Sequence, residues 1–209
     1  KWHNRDNGRI QYAFAPRFAL SCTEDLMREV GELSKKYNVI IHTHASENKD
    51  EIKLVQQRFR KQNIEYFNSI GITGPNLCVA HCVWLDKNEK NILKDTGIKV
   101  LHCPSANLKL GSGIAPIPEY LNKGICVSLG ADGAPCNNNM DIFNEMRLAA
   151  LIQKPYYGAE AMPAEIVFKM ATIGGAQALK LESQIGSLEK NKKADIAFIK
   201  INQVQTIPF

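Results

Sequence analysis

The sequence predicts an α/β fold, a series of parallel β/α units forming part of a (β/α)8 TIM-like barrel. Three observations predict it. Strand-like and helix-like segments alternate with few interruptions along the 209 residues. The strand-like segments are continuous apolar runs, as strands covered on both faces require. The units recur roughly every 25 to 40 residues, close to the pitch of such a barrel. Only five strands are predicted before the chain turns helical, too few to close eight.

The elements follow in order. IQYAFAPR (10–17) is extended and apolar, and TEDLMREVGELSKKYN (23–38) places Leu26, Val30 and Leu33 at helical spacing. VIIHTHAS (39–46) is a β-branched strand; in the helical segment 49–62 that follows, Ile52, Val55 and Phe59 share one stripe. A short helix then ends at Gly71. LCVAHCV (77–83) is the next strand, and Asp86 with Glu89 has capping-box spacing at the start of a helix over 87–96 that stops near Gly97. IKVLHCP (98–104), a loop, a helix over 116–123 and ICVSLGADG (125–133) complete two more units. Beyond Gly133 the pattern is helical, and KADIAFIKI (193–201) reads as a strand. Residues 1–190 are therefore expected to belong to the barrel and 191–209 to begin a small β domain.

Composition narrows the function classes. With 44% hydrophobic and 22% charged residues the chain can bury a substantial core, which excludes a disordered segment. No apolar run approaches the roughly 18 to 20 residues of a membrane span, and the first residues lack the apolar core of a signal peptide, so a cytoplasmic protein without a membrane partner is expected. The net charge of +5 is modest and its lysines are dispersed, which argues against nucleic acid. The six cysteines form no Cys-x-x-Cys pair and are read as mostly buried thiols.

A polar residue inside a two-sided strand needs a reason, and here the reason has a direction. His44, His81, His102 and Asp132 lie at or just past the C-terminal ends of successive strands, the end that carries the chemistry in barrel enzymes. Alternation puts His42 and His44 on one side of their strand, and His81 on the side of Leu77 and Val79. Histidines and an aspartate converging at one rim make an N/O cluster suited to Zn²⁺ or Fe²⁺. The plainer reading is that each is a hydrogen-bonded structural residue.

HASE (44–47), AHCVWL (80–85), HCPSANLKLGSG (102–113) and LGADGAPCNNN (129–139), in this order, resemble the strand five, six, seven and eight signatures of the amidohydrolase superfamily. The resemblance covers roughly 10–198 and is closest to the branch of deaminases and chlorohydrolases acting on purines, modified adenosines and triazines. It implies that the chain contains strands four to eight of the barrel. It also implies one Zn²⁺ or Fe²⁺ ion with His44 and Asp132 as ligands, Glu47 as the proton shuttle, and His81 contacting the attacking water or the developing oxyanion. The family's first-strand His-x-His pair has no counterpart upstream. His42-x-His44 has the same spacing, but counting units from it would put Asp132 on strand four, and His42 is read instead as an inner-layer residue. A preceding segment would have to supply strands one to three and the missing pair; without one, the ion would lose half of its usual protein ligands.

The substrate is read from two segments that disagree. APRFALSCT (15–23) resembles guanine deaminases, in which an arginine reads the base, whereas DGAPCNNN resembles deaminases of 5′-altered adenosines, including 5′-deoxyadenosine and S-adenosylhomocysteine. The nucleoside reading is favoured, with guanine deaminase and triazine chlorohydrolase as alternatives. Arg17 either forks hydrogen bonds to a base or ribose or pairs with a loop carboxylate. Trp84 either stacks on a purine or packs under a loop. Ser105 and Asn107 serve polar contacts or turn formation. Water would be the co-substrate, and a homo-oligomer is possible. A reading from another class is an inactive barrel fragment or non-catalytic purine-binding homologue.

Overall fold

Five of the predicted apolar runs take adjacent places in one parallel sheet. The computed structural model describes residues 2–201. Its strands are β1 (Ala13–Phe14), β2 (Ile40–Ala45), β3 (Leu77–His81), β4 (Lys99–His102) and β5 (Val127–Leu129), hydrogen-bonded in the order β1-β2-β3-β4-β5. Every pairing is parallel, so each strand returns to the same end of the sheet through a helical crossover. Neighbours in sequence are neighbours in space, which is the winding of a barrel sector rather than of a doubly wound sheet.

The two faces differ. Ile41, Leu77, Val79, Val100 and Val127 pack with Met27, Val30, Val55, Ile64 and Leu93 of the helices in one core. The other face carries His42, His44, Ala80 and Leu101, with a small cluster of Ala80, Cys103 and Ala106. Along β2 burial alternates strictly, Ile41, Thr43 and Ala45 being buried and His42 and His44 only partly so. The imidazoles thus lie on the face the helices leave uncovered.

Helix Glu24–Tyr37 is capped by Thr23, whose Oγ1 accepts the Leu26 N–H, but its buried stripe is Met27, Val30, Gly31 and Ser34 rather than Leu26, Val30 and Leu33. Leu26 is exposed. Gly31 sets this phase: a β-carbon there would lie 3.2 Å from Ile72 Cγ1, so the absence of a side chain lets the helix approach that closely. Helix Lys49–Phe59 buries Val55 as expected and also Glu51. Asp86 and Glu89 form the predicted capping box on helix Lys87–Thr96, and Gly97 ends it at φ 73°. The expected strand over 193–201 is not part of the sheet: residues 194–201 have no ladder partner among the described residues, and Phe198 is fully exposed. A strand without a neighbour leaves its amides to solvent and has nothing to hold it extended. The remainder of the expected β segment lies outside the described residues. No helix among the described residues is long and apolar enough to cross a membrane.

Glu89 ties two units together. Its carboxylate accepts the N–H of Asp86 at 3.1 Å and that of Ile64 at 2.9 Å, the latter at the start of helix Asn63–Ser69. Burial pushes this carboxyl up from 4.5 to about 7. An acid whose pKa is raised in the folded state adds stability that is present below 4.5 and lost as pH rises through about 7. Across that window the wild type should lose on the order of 3 kcal/mol through Glu89. Urea unfolding against pH should show a shallower slope in Glu89→Gln, with a remainder from Glu51, whose carboxyl burial also raises. Identical slopes in the two proteins would remove Glu89 as the source.

Candidate functional site

The ladder between β2 and β3 pairs His44 with Ala80 and Ala45 with His81. Side chains of adjacent paired residues share a face, so alternation alone would turn His81 away from His44. The structure does the opposite: the two rings stack with centroids 5.3 Å apart and planes 25° apart. The backbone accounts for it. His81 has φ 73°, a left-handed conformation at the last strand residue, which breaks the alternation and brings the imidazole to the rim on the His44 side. Ser46 and Asp132, which also follow strands, are left-handed too, at φ 54° and 61°. These are three of fourteen left-handed non-glycine residues among the described residues, and such conformations at strand ends are compatible with a working site.

His81 is buried and doubly oriented. Its Nδ1 is 2.8 Å from Asn107 Oδ1, an acceptor, so Nδ1 carries the hydrogen. Its Nε2 lies 3.7 Å from Glu47 Oε2 and 4.0 Å from Asp132 Oδ2, too far for a hydrogen bond, and has no partner among the described residues. A buried ring nitrogen aimed between two carboxylates and bonded to neither is what a group serving a bound molecule looks like. Neutral, it accepts a proton from water; charged, it donates to an oxyanion.

His44 is held through its other nitrogen. Nδ1 lies 2.6 Å from the Arg17 carbonyl oxygen, which only accepts, so Nδ1 is protonated and the Nε2 lone pair is free. Metal-binding histidines adopt this arrangement. An imidazole nitrogen and the Asp132 carboxylate have the donor chemistry of a borderline divalent ion such as Zn²⁺ or Fe²⁺. They would supply two of the three or four protein ligands such an ion takes, and among the described residues no group of three or more His, Cys, Asp or Glu side chains is assembled to hold one. His42, its ring centroid 5.8 Å from that of His44, has its pKa lowered by burial first and then by His44 and His81. His102 is fully buried, and burial pushes it down to about 3.

Glu47 sits on a turn fixed from behind. The Ser46 and Glu47 amides donate to the two oxygens of Glu51 at 3.2 and 2.8 Å, and Asn63 adds a short bond to the same carboxylate. The Glu47 side chain accepts from Ser112 Oγ at 3.2 Å. Glu51 and Ser112 were not readable as site residues. Asn48-x-x-Glu51 does have capping-box spacing, which is a signal of sorts for the first.

The two substrate-contact candidates differ in placement. Arg17 contributes its carbonyl to His44 and to Thr43 Oγ1, while its guanidinium lies 5.5 Å from the centre of the Phe18 ring. Trp84 donates from Nε1 to the Ser112 carbonyl at 2.7 Å and has Lys49 Nζ 4.4 Å above its ring. Its remaining surface lines a cavity of about 500 Å³ shared with Tyr156 and Tyr157. The indole is therefore both packed against a loop and open on one side.

Gly113 is the residue that lets the indole in. At φ 127° a β-carbon would sit 2.8 Å from Trp84 Cζ2 and 2.9 Å from Val83 Cγ1. Gly113→Ala should lower stability by roughly 1 to 3 kcal/mol and shift the indole. In the full-length protein the emission of Trp84, taken as the difference from a Trp84→Phe variant, should change together with the melting temperature. Unchanged emission and stability would contradict the close packing.

The chain is similar to known proteins along nearly its whole length. The chain matches the Amidohydrolase family over residues 1–208. It is 40% identical over 207 residues to 5′-deoxyadenosine deaminase of Methanosphaera stadtmanae, which spans 99% of the chain and 48% of that protein. It is likewise 40% identical over 208 residues to 5-methylthioadenosine/S-adenosylhomocysteine deaminase of Thermoanaerobacter pseudethanolicus, again 99% of the chain and 48% of that protein. The crystal structure of a zinc-bound adenosine deaminase from Xanthomonas campestris superposes with a TM-score of 0.94 at 30% identity, covering 98% of the chain and 47% of that structure. The chain thus spans about half the length of the relatives it matches. A parallel sheet wound in sequence order, with polar groups gathered at its C-terminal rim and a family match along nearly its whole length, places the chain in the amidohydrolase family as a part of its (β/α)8 barrel.

Proposed function

We propose that the protein carrying this chain is a metal-dependent deaminase that hydrolyses the amino group from the ring of a purine nucleoside, of the 5′-deoxyadenosine or S-adenosylhomocysteine type. The observation that carries this reading is the unpartnered Nε2 of buried His81, directed between Glu47 and Asp132 beside the stacked His44 ring. The deaminase names of its relatives support the substrate class.

His44, through its free Nε2, and Asp132 would hold one Zn²⁺ or Fe²⁺ ion, which when bound supplies Lewis-acid activation of water at neutral pH. The chain's own groups do the rest. Asp132 would take the proton of the attacking water, and Glu47, fixed by the Glu51 bonds to its turn, would protonate a ring nitrogen so that the adjacent carbon accepts attack. His81 Nε2 would hold the water or the developing oxyanion, its ring anchored by Asn107. Collapse expels ammonia, with the proton it needs relayed by the carboxylates, leaving a ring carbonyl. Trp84, open to the neighbouring cavity, would offer a face for stacking. Arg17 adds no support for a guanine-type reading: its carbonyl meets His44 and its guanidinium lies beside the Phe18 ring.

The test uses the full-length protein, assayed for ammonia or chloride release with 5′-deoxyadenosine, S-adenosylhomocysteine, guanine and a chlorotriazine while bound metal is measured. Turnover should be found with an adenine nucleoside. Glu47→Gln should lower it by at least ~100-fold with metal retained, and Asp132→Asn should lose turnover and metal together. Equal metal loss in both variants would make Glu47 a ligand. Absence of all release from the metal-loaded protein would leave the non-catalytic homologue as the reading.

A further inference from the structure

Helix Ile142–Leu151 presents a charged side chain to the interior where an apolar one would pack. Glu145 is fully buried. Its Oε2 accepts the Ser105 N–H at 3.1 Å and its Oε1 accepts Asn137 Nδ2 at 2.8 Å. The same Asn137 nitrogen donates to the Ala131 carbonyl at 2.7 Å, and Asn137 Oδ1 accepts the amides of Asn139 and Met140. Asn144, one residue before, adds a 3.2 Å bond to Ser105 Oγ. A buried carboxylate surrounded by neutral donors, with no Lys, Arg or His paired to it among the described residues, is an unfavourable way to fill a core. What it provides is fixed geometry.

We propose that Glu145 is a positioning residue that locks the short helices after β4 and β5, Pro104–Lys109 and Ala134–Asn137, to each other and so sets the distance between His81 and Asp132; this rests on the reaction proposed above. One arm runs from Glu145 to Ser105, and two residues on, Asn107 holds His81 Nδ1. The other runs through Asn137 to Ala131, the residue before Asp132. Both arms begin on one carboxylate, so the orientation of the imidazole and the place of the acid are set together. Outer hydrogen-bond partners of this kind commonly govern activity without touching substrate.

The experiment compares Glu145→Gln and Asn137→Ala in the full-length protein, by steady-state kinetics and by hydrogen exchange. A glutamine sets its NH2 against one of the two donors and leaves the other a neutral acceptor in place of a charged one, so it loosens both arms. It should lower kcat ~10- to 100-fold with KM within about twofold, and exchange should accelerate in both 103–109 and 129–140 while 44–52 is unchanged. Asn137→Ala cuts only the second arm, so exchange should rise in 129–140 alone, and the two substitutions together should lower kcat by less than the product of their separate effects. Exchange that rises throughout the protein, or a rise in KM with kcat unchanged, overturns the positioning role. If the wild type releases no ammonia, the functional reading falls, while the paired or unpaired response of the two segments still decides whether Glu145 couples them.

Discussion

Everything at the rim depends on the parallel ladder between β2 and β3, which sets His44 beside Ala80 and Ala45 beside His81. Parallel pairing brings the ends of strands far apart in sequence to one edge, and it does so without any side chain of the site contributing. It also poses a problem, since residues one step out of phase face opposite sides of the sheet. The left-handed backbone at His81 is the solution, and the stacked rings are its consequence. Such a conformation persists only where its surroundings over-determine it. Here the Cys82 amide bonds the Ala45 carbonyl, and the Val83 and Trp84 amides both reach the Ser46 carbonyl, so the turn after β3 is clamped to the turn after β2.

The same logic extends outward through buried carboxylates. Glu51 satisfies the amides of the turn bearing Glu47, Glu89 those that join two neighbouring helices, and Glu145 one at the start of the short helix after β4. Each sits in the first turn or two of a helix and accepts N–H groups, of a turn after a strand or of the first residues of a helix, that would otherwise be left without a partner. The interior is thus held by directional bonds at the loops and by non-directional apolar packing beneath them. The contrast fits a site in which distances of a few tenths of an ångström matter above and only volume matters below.

Much of this was legible in the sequence, for physical reasons. Apolar runs such as VIIHTHAS and LCVAHCV have the composition of strands covered on both faces, and Asp86-x-x-Glu89 has the spacing of a capping box at a helix start. His44, His81, His102 and Asp132 could be grouped because strand ends in a parallel sheet converge whatever the intervening sequence, although His102 is fully buried; Glu47 was added only by the family resemblance. Alternation misplaced His81, because a left-handed non-glycine residue is imposed by neighbours rather than by its own preference. The phase of helix Glu24–Tyr37 was read one residue off, since Leu26 looks more like core than Met27 until Gly31 brings the helix against Ile72. Glu51 and Glu145 were missed because a glutamate on an amphipathic helix ordinarily faces water. The tail around Phe198 was read from apolar content alone, which cannot supply a partner strand.

The most direct test of the account is a crystal structure of the full-length protein with its metal located by anomalous scattering. The account predicts one divalent ion about 2.0 to 2.2 Å from both His44 Nε2 and an Asp132 carboxylate oxygen, with His81 Nε2 facing a water or ligand oxygen between Glu47 and Asp132. An ion bound elsewhere, or bound here without His44 and Asp132, would contradict it.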